Sequence, residues 1–161
     1  EPDVEEYYFT ADDDIYYPST YAEDMVKAID KTKSIVTHHG RKLKALNVSY
    51  YRGGHKAYSC LRENNIETFL DVAGTGVTAF DTRYFNPSHL WASDRMKMSD
   101  MVFSLEAAKQ GKRIRLLKHS KEYFVYLFPL ESTTIHSQSF RACPMQTQMA
   151  NEIYILKNGT T

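Results

Sequence analysis

Apolar and polar positions along the chain change period several times, and each change marks an element. Aromatic and β-branched residues crowd Tyr7, Tyr8, Phe9 and Thr10, which predicts a strand entered from Glu5. Pro18 stops it. Thr20 and Glu23 then match a capping box, and Tyr21, Met25, Ala28 and Ile29 repeat at helical spacing through about Lys31. Ser34 to Thr37 predicts a second short strand that ends in His38-His39-Gly40-Arg41.

Residues 42 to 65 sustain no period and contain Gly53-Gly54, so they read as an excursion from the regular fold. Strand character resumes from Ile66 to Val72, breaks at Gly74-Thr75-Gly76 and continues from Val77 to Phe80. Asn86 to Lys97, with Pro87 and Trp91, predicts a loop. Ser99 then opens a helix with Met101, Val102, Leu105 and Ala108 on its apolar face and Gly111 as its terminator. Arg113 to Leu117 and Tyr123 to Phe128 are strand-like and flank the basic run Lys118-His119-Ser120-Lys121. After Pro129 the chain loops to Pro144, which opens a helix carrying Met145, Met149, Ile153 and Leu156 and closed by Gly159. Strands alternating with helices predict an α/β fold.

Composition changes this picture little. A hydrophobic share of 42% in 161 residues allows one compact domain with a real core. Twenty basic and twenty acidic side chains cancel, so no global field invites nucleic acid or an anionic membrane. Any charged ligand must be held locally. The 12 tyrosines suit packing, and also suit surfaces that bind sugars or bases. Cys60 and Cys143 show no metal-ligand spacing and read as free buried thiols. No apolar run is long enough to span a bilayer and no signal peptide opens the chain, so a soluble, cytoplasmic protein is expected. The sequons at Asn47 and Asn158 are short enough to arise by chance.

The sharpest chemical feature is Asp12-Asp13-Asp14, delivered at the end of the first strand. In open α/β sheets the carboxyl edge of the strands is where ligands bind. Three packed carboxylates repel one another, and a divalent cation resolves that repulsion. Oxygen ligands favour magnesium or manganese, and Asp12 and Asp14 share one face of an extended segment. The same triplet also fits an acidic turn capping the helix behind it, and taken alone it leaves both readings open.

The order of segments narrows this. Ala11-Asp12-Asp13-Asp14-Ile15-Tyr16-Tyr17-Pro18 is followed by His38-His39-Gly40-Arg41, by Asp71-Val72-Ala73-Gly74-Thr75-Gly76 and by Met98-Ser99-Asp100-Met101-Val102-Phe103. From about Tyr7 to about His119 this series resembles GT-A-fold glycosyltransferases. The likeness is greatest to the family-2-like, capsular-polysaccharide branch with heparosan-type N-acetylglucosaminyltransferases. It implies a GT-A-like, Rossmann-like mixed sheet flanked by helices. The implied activity is metal-dependent transfer of a sugar from a nucleoside-diphosphate sugar, of the uridine type, to a glycan or other hydroxyl acceptor in polysaccharide biosynthesis.

Carried over residue by residue, the resemblance makes Asp12 and Asp14 the D-x-D ligands of manganese or magnesium. Asp13 would touch the donor sugar or its ribose. Asp100, in the first turn of its helix, would be the catalytic base of an inverting enzyme, and the positive end of the helix dipole suits a carboxylate there. A helix cap is the plainer role for Ser99 and Asp100. Gly74, Thr75 and Gly76 match a small-residue segment beside the donor and acceptor sugars, where a missing Cβ permits close approach; a β-bulge is the structural alternative. His119 matches, more loosely, a late histidine that completes the metal site. Lys118, with Lys121, Arg113 and Arg115, is placed to grip a diphosphate, although a basic strand end is usually just solvated. His38, His39 and Arg41 would reach toward the acceptor.

The front departs from the family pattern. GT-A domains place two β-α units, each of roughly 30 residues, ahead of the D-x-D to bind base and ribose. Here 11 residues precede Asp12. The expectation is a partial domain: residues 1–128 form the catalytic portion, residues 129–161 a loop and helix packed on it. An upstream segment or partner would complete the nucleotide site. Two other readings compete. An aspartate pair after an apolar strand also opens haloacid-dehalogenase-type phosphoryl-transfer enzymes, but Tyr16 stands where they carry Thr or Val. A non-catalytic carbohydrate-binding module would use the tyrosines and need no metal.

Overall fold

A computed structural model describes residues 6–46, 50, 53–88, 98–127 and 144–159. In chain order these hold β1 (Tyr7–Ala11), β2 (Ile15–Tyr16), α1 (Tyr21–Thr32), β3 (Ile35–Thr37), β4 (Gly40–Leu43), β5 (His55–Tyr58), β6 (Thr68–Leu70), β7 (Val72–Ala73), β8 (Val77–Asp81), α2 (Ser99–Lys109), β9 (Ile114–Leu116), β10 (Val125–Tyr126) and α3 (Pro144–Asn158). Trp91, Asn47, Cys143 and the expected 129–143 loop lie outside the described residues.

Five strands form the main sheet in the order β1-β8-β3-β9-β6. β8 runs antiparallel to both β1 and β3, β3 is parallel to β9, and β6 is antiparallel to β9. Ala11 pairs with Val77, and Thr37 with Thr78 and Leu116. The carboxyl ends of β1, β3 and β9 therefore share one edge with the start of β8. A three-stranded antiparallel sheet, β5-β4-β7, and the β10-β2 pair complete the strands.

Side-chain alternation explains the layering. Val36, Val77 and Ala79 face α1 and pack with Met25 and Ile29, both fully buried. Ile35, Phe80, Ile114 and Leu116 face the other way and pack with Phe103 and Ala107 of α2. Both faces of the central strands are thus covered, which is why β3 and β8 are buried along their whole length. Each large aliphatic or aromatic side chain in these layers contributes about 1.5–3 kcal/mol by leaving water. The chain is a mixed α/β protein with three helices among the described residues.

Several expectations need correction. Thr20 sits at the N-cap of α1, but with φ −85° and ψ −5° its side chain makes no capping bond, and Glu23 instead meets Lys27 at 2.6 Å. Met98, not Ser99, is the N-cap of α2, again without a side-chain bond. That helix is buried on two sides, because Met149, Ala150 and Ile153 of α3 pack on Met101, Leu105 and Ala108 while Phe103 meets the sheet. Finally, the excursion after residue 42 contains order: Arg41 to Leu43 pair with His55 to Ala57, and Lys44 N–H donates to Gly54 at 2.9 Å.

The expected strand from Ile66 to Val72 is divided at Asp71. Its carboxylate accepts Leu43 N–H at 2.7 Å, which turns the chain from the main sheet into the β4–β7 pairing. Gly111, at φ 65°, and Gly159, at φ 78°, follow their helices in the left-handed conformation, as their sequence positions suggest. No helix among the described residues is long and apolar enough to cross a membrane.

Candidate functional site

A cavity of about 530 Å³ opens at the shared carboxyl edge of β1 and β3. Asp12, His39, Ser59, Arg62, the Gly74-Thr75-Gly76 segment, Asp100 and Tyr126 contribute to its wall. Six separate stretches of sequence converge there: Asp12, His39, Ser59 and Gly74 follow the ends of β1, β3, β5 and β7, Tyr126 ends β10, and Asp100 lies in the first turn of α2.

Asp12 follows the last residue of β1 and stands exposed at the cavity mouth. Tyr17 fixes its backbone: the phenol oxygen accepts Asp12 N–H at 2.8 Å and donates to Gly76 carbonyl oxygen at 2.5 Å. Gly76 lies so close that a Cβ there would overlap the Asp12 carboxylate. Gly74 is in the same position against His39, whose ring Cδ2 would come 2.7 Å from an added Cβ. The two glycines therefore let two functional side chains pack against the backbone of one segment.

Asp100 is tied to this segment. Its Oδ1 accepts the Thr75 backbone N–H at 2.9 Å and the Thr75 hydroxyl at 2.6 Å, while Ser99 Oγ lies 3.1 Å from the same hydroxyl. Asp100 does not cap its own helix. Behind it, Ser104 Oγ donates to Asp100 carbonyl oxygen and accepts Ala73 N–H at 2.9 Å, locking α2 to β7.

The electrostatics are those of crowded carboxylates. Partial desolvation raises the Asp12 carboxyl above its ordinary value, and the charges of Asp14, Asp100 and Asp13 push it the same way. Tyr126 is raised by desolvation, by the charge of Asp14 and by a hydrogen bond to it. Burial pushes the Cys60 thiol up to about 11, which disfavours the thiolate there. Arg62 is a basic residue in a wall that also holds Asp12 and Asp100.

Of the residues singled out in the sequence, Asp12, Gly74, Thr75, Gly76, Asp100 and His39 come together here. Asp14 starts the short β2 approach, with its carbonyl accepting Leu127 N–H, and Asp13 is exposed in the turn between. Others go elsewhere. Arg41 stacks its guanidinium 4.1 Å from the Tyr50 ring centre, and Lys118 is exposed outside the cavity wall. Arg113 and Arg115 flank the Phe69 ring, each 4.8 Å from its centre.

His119 is buried and not part of the cavity wall. Its Nε2 lies 2.8 Å from Arg62 carbonyl oxygen, which can only accept, so Nε2 carries the proton. Its Nδ1 must then accept from His38 Nδ1, 3.2 Å away. Both ring nitrogens are engaged, and His38 Nε2 is left as a buried acceptor without a partner among the described residues. Among the described residues no group of three His, Cys, Asp or Glu side chains is placed to hold a metal ion unaided.

Sequence reasoning passed over Tyr17, Ser59, Arg62 and Tyr126. Only Tyr17 and Tyr126 carried any signal, as members of an aromatic-rich composition. No protein-family model matches the chain, and no curated protein matches it.

Proposed function

We propose that this cavity is the reaction site of a metal-dependent glycosyltransferase, which moves a sugar from a nucleoside-diphosphate sugar to a hydroxyl acceptor, with a glycan as acceptor and a uridine diphosphate sugar as donor. The observation that carries the reading is the meeting of Asp12 and Asp100 across the Gly74–Gly76 segment in one cavity. The resemblance of the ordered motifs supports it independently.

Manganese and magnesium fit the donor set. Such ions take one or two carboxylates and fill their shell with water and substrate phosphates, so a three-residue cage is not required. The Asp12 carboxyl is raised first by desolvation and then by the charges of Asp14, Asp100 and Asp13, and a cation would relieve that repulsion. Asp12 and Asp14 would hold the ion, and when bound it supplies neutralising charge for the departing diphosphate. His119 is left out of this set, because both of its nitrogens are already engaged.

The remaining chemistry belongs to the chain. Asp100 has its Oδ1 fixed by two Thr75 hydrogen bonds, leaving Oδ2 to accept the acceptor hydroxyl's proton. The hydroxyl oxygen then bonds to the sugar's anomeric carbon. The bond from that carbon to the diphosphate breaks, and its electron pair leaves with the diphosphate. Arg62 and His39, both in the cavity wall, would contact phosphate or sugar oxygens.

Calorimetric titration tests this. Manganese, with and without uridine diphosphate sugar, should bind the parent chain and not the Asp12→Ala variant. Glycan binding that ignores manganese would favour a non-catalytic module, and phosphate release from simple phosphate esters would favour phosphoryl transfer.

A further inference from the structure

A second cavity, of about 340 Å³, lies at the opposite edge of the main sheet and shares no residue with the first. Leu70 at the end of β6 pairs with Ile114 at the start of β9, and this edge is closed by the carboxyl ends of α2 and α3. Lys42, Lys112, Arg113 and Lys157 line it, against the single carboxylate of Asp71.

Asp71 is structural. Its side chain is 3% exposed, its Oδ2 accepts Leu43 N–H, and its Oδ1 lies 3.3 Å from Lys42 Nζ and 3.7 Å from Lys157 Nζ. Lys157 is the informative group. Its ammonium is largely buried and donates to Leu70 carbonyl oxygen at 2.8 Å, which uses one of its three N–H groups. The Lys112 ammonium makes no hydrogen bond or ion pair among the described residues, and Arg113 offers its guanidinium edge while its face meets Phe69. Four cations against one carboxylate leave an excess of three. Two helix carboxyl ends remove about half a charge each, so roughly two positive charges stay uncompensated.

We propose that this cavity binds a small ligand through a phosphate or diphosphate group. A divalent oxyanion matches the uncompensated charge, supplies an acceptor for the Lys157 donor that serves neither Leu70 nor Asp71 and can bridge Lys112 to the edge of Arg113. A monocarboxylate would neutralise only part of it. The volume admits a small molecule, and Phe69 and Leu156 give it an apolar wall.

The site has a pH signature. Burial lowers the Lys157 ammonium to about 8, with Lys42 pushing the same way and Asp71 opposing both. A bound anion favours the charged amine, so binding takes up a proton near pH 8 and weakens as pH rises above it.

The test is calorimetric titration of the full chain with inorganic pyrophosphate, in the presence of a chelator so that no metal at Asp12 contributes. Pyrophosphate should bind, more weakly at pH 9 than at pH 7 by up to about tenfold for this one titrating group, and sodium acetate at equal ionic strength should not compete. Lys112→Ala and Arg113→Ala should each weaken binding at least tenfold with melting temperature unchanged. A parallel titration with uridine diphosphate distinguishes bare diphosphate from a nucleotide: tighter binding, lost in the same variants, identifies the nucleotide. No pyrophosphate binding, binding indifferent to both variants, or acetate binding of equal strength would overturn the proposal. None of these outcomes depends on glycosyl transfer.

Discussion

Asp100 Oδ1 receives both the backbone N–H and the hydroxyl of Thr75, so the first turn of α2 is tied to the loop beside Asp12 and not to its own helix end. The bond pair orients a carboxylate whose second oxygen has no partner among the described residues, which is what a general base at this position requires.

Asp100→Asn keeps the shape and retains an oxygen that can accept from Thr75, so it separates proton acceptance from positioning. In a chain that transfers sugar, the rate should fall by about 10²–10⁴-fold with manganese affinity little changed. Thr75→Val removes the hydroxyl bond but not the backbone one, and a smaller loss is expected. Equal turnover in Asp100→Asn and the parent would leave Asp100 as a loop anchor only.

Gly76→Ala addresses the other side of the loop. The added methyl would overlap the Asp12 carboxylate, so either Asp12 turns away or the loop shifts against Tyr17. Manganese affinity should drop at least tenfold, and overpacking should cost about 1–3 kcal/mol in denaturant unfolding. Unaltered manganese binding would show that Asp12 is not held at its present position for the metal's sake.

How much of this was legible in the sequence depends on the range of the interaction. Local periodicity was enough for α1, for β8 and for the glycines that end α2 and α3, because those signals lie within a few residues. The β4–β5 hairpin was missed because Gly40-Arg41-Lys42-Leu43 and His55-Lys56-Ala57-Tyr58 mix charged and apolar positions without clean alternation. Within the site, Asp12 and Asp100 stood out by type and setting. Tyr17 and Arg62 did not, and His38 and His119, singled out separately as site residues, pair with each other outside the cavity wall, because such partnerships join residues far apart along the chain.

Asp12 also makes a prediction about stability. Its folded-state carboxyl is raised, so its contribution is fully present below its unfolded value and is lost as pH rises through the raised one. Without metal, the ionised Asp12 therefore opposes folding at neutral pH. Asp12→Asn should raise or preserve the metal-free melting temperature at pH 7 while removing manganese binding, and the parent alone should gain stability from manganese. A variant that melts well below the parent would mean that the ionised carboxylate stabilises the fold directly.

His38 should govern the acid limb of stability. Burial, and then the neighbouring His119, lower it to about 3 from its ordinary 6.5. It packs among the rings of Tyr21, Tyr123 and Phe124, donates Nδ1–H to His119 and has no partner for Nε2 among the described residues. Protonation would place a charge and an unsatisfied N–H in that cluster. Between about pH 6.5 and 3 the unfolded chain therefore binds a proton that the folded one refuses. Stability is complete above 6.5 and declines as pH falls, by at most about 1.4 kcal/mol per pH unit for this one group. His38→Phe keeps the ring contacts and cannot titrate, so its unfolding free energy should be flatter across that interval. It will also lower stability at pH 7, because His119 loses its donor, and the slope is the quantity to read. Asp24 does not mimic the effect. Its carboxyl is lowered by the Tyr123 hydroxyl, so its contribution disappears only as pH falls below the ordinary carboxylate range. Denaturant unfolding at half-unit steps from pH 7 to 4.5 reads the slope, and equal slopes in the parent and His38→Phe would refute the assignment.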